Sequence, residues 1–227
     1  MSWEARGGQG VQSAADILAQ AAFEEGHEAI YIPNFGIEQR GGVSLAFVQI
    51  SEDPIGSPKF QKAQIVVALS GRSLERLQGY LYEESIILYD SSLLAPPQVS
   101  DDVVSWQFYD TTAPEAFAER RLTDKRQSFP EISGKVKYIY SLPAAELAQS
   151  KLHPRAANII ILGAVARFTE LLRLKSIEEA LLQRLARKIA SDPALKDLNC
   201  QALKMGWEAA KSLQKSRAVS TARKFIF

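Results

Sequence analysis

Two glycine-rich stretches carry most of the residues in this 227-residue chain that could do chemistry. The first is the turn Gly7, Gly8, Gln9, Gly10, which leads into a run of small residues with helical spacing. A turn of this kind leaves backbone N–H groups unpaired at a helix start. Together with the helix dipole they attract a phosphate or a carboxylate. The same glycines also serve a tight strand-to-helix turn in which side chains would clash, and both readings stay open. The pattern is neither the dinucleotide fingerprint nor the P-loop, and no lysine reaches back into it. Glu28 comes too early, inside a strand-like run, to hold a ribose. A weak anion nest beside Arg6, rather than a tight nucleotide site, is the expectation.

The second stretch is the loop Phe35 to Gly42, with Glu38 and Arg40 ahead of Gly41 and Gly42. A guanidinium on a glycine-bounded loop can take an acidic group bidentately, and the glycines let another backbone approach closely. The competing reading is a solvated surface loop of alternating charges. Elsewhere the inventory excludes more than it offers. Two histidines, His27 and His153, and the single Cys200 cannot assemble a zinc site, a Ser-His-Asp triad, an intrachain disulfide or a cysteine-ligated cluster. No catalytic and no metal-ligating residue is assigned. Cys200 reads as a small buried hydrophobe, Asn158 as a satisfied amide on an apolar helix, Gln9 as a helix-start residue bonding a neighbouring loop, and His153 before Pro154 as a helix-start residue.

Positioning these residues falls to an alternation of strands and helices. Val11, Ala14, Ala15, Leu18 and Ala22 share one face and predict a helix over Gly10 to Glu25. Strands are expected at His27–Ile32, Val43–Ser51, Ile65–Leu69, Ser85–Tyr89, Val103–Tyr109 and Val136–Tyr140. Helices are expected from Gly71 to about Tyr82 and at Pro114–Arg121. The opening MSWEAR is short and charged for a central strand and suggests an edge strand. The charged stretch 119–135 reads as a long surface loop. From about residue 144 the pattern is helical, with helices at Ala156–Leu172, Ser176–Ala190 and Asn199–Leu213. Ser176 and Glu179 form a capping box, the side chains of Phe168, Leu172, Leu181, Leu185 and Ile189 are core, and a tail begins at about residue 215. This predicts a three-layer α/β/α fold with a mostly parallel sheet and a helical C-terminal layer, in one domain over 1–227.

Net charge is +1, which points to no nucleic-acid or anionic-membrane partner. No apolar run is long enough to span a bilayer. The N-terminus does not read as a signal peptide, so a cytoplasmic, reduced protein is expected.

Taken in order, RGGQGVQSAADILAQAA, NFGIEQRGGVSLAFVQIS and HPRAANIIILGAVARF followed by NCQALKMGWEAA resemble the gamma subunits of 2-oxoacid:ferredoxin oxidoreductases. The likeness spans residues 6 to about 210. The family's aromatic–glycine–x–glutamate–x–arginine–glycine–glycine loop falls on Phe35, Gly36, Glu38, Arg40, Gly41 and Gly42. Its later asparagines and glycines fall on Asn158, Gly163, Asn199 and Gly206. Two departures stand out: Glu4, Ala5 and Arg6 precede Gly7 where the family has an apolar strand, and the segment from Arg120 to Lys135 is longer and more charged.

The resemblance implies a share in converting a 2-oxoacid, coenzyme A and oxidised ferredoxin to acyl-CoA, CO2 and reduced ferredoxin. Thiamine diphosphate, Mg and iron–sulfur clusters are then expected in partner chains and no cofactor in this one. The partners would be alpha and beta subunits that build the thiamine site, and a ferredoxin-like delta subunit. Self-association is left open. Phe35, Glu38, Arg40, Gly41 and Gly42 would contact a partner or coenzyme A, and Gly7, Gly8, Gln9 and Gly10 would form the weak anion nest. A stand-alone nucleotide- or CoA-binding protein and a non-catalytic scaffold are the competing functions.

Overall fold

The computed structural model describes residues 2–6, 10–35, 43–94, 108–109, 132 and 136–223. Strands and helices alternate first: β1 Ser2–Arg6, α1 Val11–Glu24, β2 Glu28–Phe35, β3 Val43–Ser51, β4 Ile65–Ala68, α2 Gly71–Leu77, β5 Ile86–Asp90, β6 Phe108–Tyr109 and β7 Tyr138–Leu142. Helices then follow alone: α3 Ala144–Lys151, α4 Ala157–Thr169, α5 Leu174–Ser191 and α6 Ala194–Arg223.

The strand order is β2-β3-β1-β4-β5-β7-β6. From β1 to β6 every pairing is parallel, while β3 runs antiparallel to both β1 and β2. The apolar runs of β4 and β5 are explained by cover on both faces. On one face Ala14, Leu18 and Ile160 of α1 and α4 pack with Val67, Leu88 and Tyr140 of the sheet. On the other, Leu74 and Leu77 of α2 pack with Val66, Ile87 and Ile139. The expected three-layer α/β/α fold with a mostly parallel sheet is thus what the chain forms.

Helices α4 and α6 touch backbone to backbone. A Cβ on Gly206 would lie 1.8 Å from the Ile160 carbonyl oxygen, and one on Gly163 would lie 2.1 Å from that of Leu203. Only glycine fits at such a crossing. Phe168, Leu172 and Leu181 are buried as expected, while Leu185 and Ile189 farther along α5 are half-buried.

Several expectations are corrected. MSWEAR is not an edge strand: β1 lies inside the sheet, Ser2–Arg6 paired with Val43–Phe47 and Ser2–Glu4 with Val66–Ala68. The antiparallel β3 supplies its second neighbour, an arrangement that composition does not reveal. Pro33, Asn34 and Phe35 extend β2 rather than belonging to the loop. Proline is tolerated there because β2 is the outer strand of the described sheet, where an outward-facing N–H is dispensable.

The capping box at Ser176 does not form, since α5 begins at Leu174 and the Arg173 N–H donates to Glu25 Oε1 at 2.8 Å. Helix α6 runs to Arg223, past the expected tail start near 215. The helix expected at Pro114–Arg121 and, apart from the buried Ile132, the loop 119–135 lie outside the described residues.

Candidate functional site

The two glycine-rich stretches converge on one end of the sheet. Arg6, the last residue of β1, pairs with Val43, the first of β3, and Phe35, the last of β2, pairs with Ser44. The connections 7–9 and 36–42 therefore both leave from the edge where the parallel strands finish. In open α/β sheets this is the edge at which ligands bind. Of the expected site residues, Gly7, Gly8, Gln9, Glu38, Arg40, Gly41 and Gly42 lie outside the described residues, while Gly10 and the backbone of Phe35 lie within them.

Gly10 caps α1 in the left-handed conformation, with φ 73°. Its close neighbour is Asn158 at the start of α4, whose Nδ2 would stand 2.4 Å from a Cβ on Gly10. Asn158 Nδ2 donates to the Gly10 carbonyl at 3.4 Å, a long bond. The asparagine read as a satisfied core amide thus backs the glycine turn, 148 residues away in sequence.

One residue of this edge escaped sequence reasoning. Gln12, in the first turn of α1, spends its whole amide on the β2–β3 pair. Nε2 donates to Ser44 Oγ at 2.9 Å and to the Leu45 carbonyl at 2.7 Å, and the Tyr31 hydroxyl donates to Oε1 at 2.7 Å. Burial, then the nearby Asp16 carboxylate, raises the Tyr31 pKa above its ordinary value, and Arg184 opposes this. Tyr31 therefore stays a donor. Asp16 itself is held by Arg184 Nε at 3.0 Å. A glutamine flanked by Val11 and Ser13 carries no sequence signal for this role; the role depends on a strand whose contacts lie 32 and 33 residues on.

Asp90 ends β5 at the same edge and is 1 % exposed. Its Oδ1 accepts from the Ser92 N–H at 2.9 Å and Oδ2 from the Ala145 N–H at 3.0 Å, so it caps α3 from a neighbouring strand. Burial pushes its pKa up to about 6, against the pull of the Ser92 and Ala145 bonds.

The remaining candidates are structural. His153 Nδ1 accepts from the Arg155 N–H at 3.1 Å at the turn before α4. Cys200 is buried, and burial together with Glu178 raises its thiol pKa. Among the described residues no cluster of His, Cys, Asp and Glu could hold a metal, and no helix is long and apolar enough to cross a membrane. A cleft of about 1200 Å³ opens at the opposite end of the sheet, lined by Ile50, Lys62, Tyr138, Phe168 and Gln214 among others. It is remote from the glycine-rich edge.

Residues 1–209 match the family described as pyruvate ferredoxin/flavodoxin oxidoreductase. The 2-oxoglutarate synthase subunit KorC of Methanocaldococcus jannaschii is 30% identical over 209 residues, covering 91% of each chain. The pyruvate/ketoisovalerate oxidoreductases common subunit gamma of Pyrococcus furiosus is 30% identical over 177 residues, covering 78% of this chain and 80% of that one. A solved keto/oxoacid ferredoxin oxidoreductase gamma subunit from Geobacter sulfurreducens shares the fold, with a TM-score of 0.64 at 23% identity over 93% of this chain and 97% of that one. The chain belongs to the pyruvate ferredoxin/flavodoxin oxidoreductase family, as a gamma-type subunit of a 2-oxoacid:ferredoxin oxidoreductase.

Proposed function

We propose that this subunit closes the oxidoreductase complex over coenzyme A, using the edge from which residues 7–9 and 36–42 depart. The observation that carries this reading is the pairing of Arg6 with Val43 and of Phe35 with Ser44, which brings both glycine-rich connections to the ligand-binding edge of the sheet. Coenzyme A presents phosphates to which a backbone nest and the Arg40 guanidinium are complementary. In the complex a 2-oxoacid loses CO2 and two electrons, and the acyl group passes to the thiol of coenzyme A. Thiamine diphosphate with Mg would supply the decarboxylation chemistry and iron–sulfur clusters the route to ferredoxin. Both groups belong to the partners on this reading: alpha and beta subunits for the thiamine site, a ferredoxin-like delta subunit for the clusters. The chain acts as one domain in the cytoplasm. Its own residues bind and orient and carry no proton or electron.

Reconstitution with the thiamine-binding and cluster-binding chains tests this. The isolated chain is expected to show no 2-oxoacid oxidation, and the complex to require it. Arg40→Ala in the complex is expected to raise the coenzyme A KM with kcat little changed, a loss of about 2–5 kcal/mol in that contact. Normal assembly with an unchanged coenzyme A KM would reduce the loop to surface.

A further inference from the structure

Gln12 stands where the two connections can be tied together. It is two residues past Gly10, and its acceptors Ser44 and Leu45 open the strand that follows residues 36–42. Ser44 is paired with Ala5 of β1 on one side and Phe35 of β2 on the other, so a hold on Ser44 is a hold on all three strands at this edge. Tyr31 closes the arrangement from β2. One turn along α1, the Asp16–Arg184 ion pair fastens the same helix to α5. On the far side, Asn158 reaches Gly10 from α4. The start of α1 is thereby gripped from both sides, and Gln12 makes the grip on the β2–β3 side. A half-buried amide with its donors and acceptor all engaged in one direction has a single preferred placement.

We infer that Gln12 is a positioning residue for the coenzyme A-facing edge: through Ser44, Leu45 and Tyr31 it holds the first turn of α1 in register with the opening of β3. The inference rests on the reading of that edge given above. Gln12 touches no ligand. It fixes the relation between the first turn of α1 and the opening of β3, the two anchor points at this edge. A residue that merely stabilised the fold would lower the melting temperature and leave substrate constants alone.

The test uses Gln12→Leu, which keeps bulk but loses every bond, and the milder Ser44→Ala, should the first fold poorly. In the reconstituted complex Gln12→Leu is expected to raise the coenzyme A KM about fivefold, with kcat and the 2-oxoacid KM within twofold. In the full chain, amide exchange over residues 43–46 is expected to quicken about tenfold while β4 and β5 keep their protection. Unchanged exchange at 43–46 overturns the inference. If Arg40→Ala raises the coenzyme A KM and Gln12→Leu does not, the inference falls and the coenzyme A reading stands. If neither variant moves it, the coenzyme A reading falls and takes the inference with it.

Discussion

At the end of the sheet where β5 finishes, the Asp90 carboxylate caps the start of α3; at the opposite end, the Glu25 carboxylate caps the start of α5. Each acid lies outside the helix it serves, and each accepts a backbone N–H at 2.8–3.0 Å. Their surroundings differ. Asp90 is sealed among the Ser92 N–H and hydroxyl and the N–H groups of Ala144 and Ala145, and burial outweighs them and drives its pKa to about 6. Burial works on Glu25 in the same direction, but the Ser176 hydroxyl and the N–H and charge of Arg173 outweigh it and hold the carboxyl below its ordinary value. The same cap is thus proton-sensitive in opposite senses: at Glu25 a compensating charge joins the hydrogen bonds, while at Asp90, among the described residues, the opposing contributions are hydrogen bonds alone.

Both ends hang on α4, with Asn158 at one terminus and the Thr169–Arg173 turn at the other, so the comparison is broken most severely by displacing that helix. Gly206→Val drives a side chain into the Ile160 carbonyl. It is expected to cost about 4 kcal/mol, read from urea unfolding of the full chain. The next largest effect lies in pH. In the folded chain Asp90 keeps its proton up to about pH 6, whereas in the unfolded chain it loses it near the ordinary 3.8. Between those values the folded state binds the extra proton, so stability falls as pH rises through the window, by about 3 kcal/mol in all. Asp90→Asn is expected to flatten that fall while lowering stability at pH 4, since one acceptor is lost. An unflattened profile would mean another group titrates there.

Glu25→Gln sharpens the contrast. The folded value of Glu25 is depressed, so its contribution is present above the unfolded value near 4.5 and is lost as pH falls through the folded value. The variant should cost about 1 kcal/mol at pH 7 and converge on the parent as pH falls below the folded value, the reverse of Asp90. Arg173→Ala gives the smallest change. Its side chain is 77% exposed, and about 0.5 kcal/mol is expected, declining with added salt.

The sheet was legible where apolar runs or alternation had one cause. The apolar runs expected as strands at Ile65–Leu69 and Ser85–Tyr89 form strands at Ile65–Ala68 and Ile86–Asp90, covered on both faces, and Val43–Ser51 showed its alternation. What stayed hidden depended on distant neighbours. Ser176 with Glu179 satisfies the local rule for a cap, yet the cap comes from Glu25, 148 residues before Arg173. The strand expected at Ser85–Tyr89 stops just short of Asp90, whose role as a cap needs Ala145, 55 residues on. Gln12 had no signal at all, because an amide in a first helical turn is ordinary until Ser44 and Tyr31 arrive beside it. The motifs at Gly7–Gly10 and Phe35–Gly42 could be recognised; that their anchors share one edge depended on the antiparallel insertion of β3.

Pro33 in the outer strand β2 bears on how the complex is put together. An uncovered strand edge is a template on which another chain can extend the sheet. At Pro33 that template lacks a donor and carries a ring in its place. Ladder growth from this margin is interrupted toward the C-terminal end of the strand. The ring and the missing donor oppose strand addition there, and indiscriminate edge-to-edge sticking of free copies along this margin is discouraged.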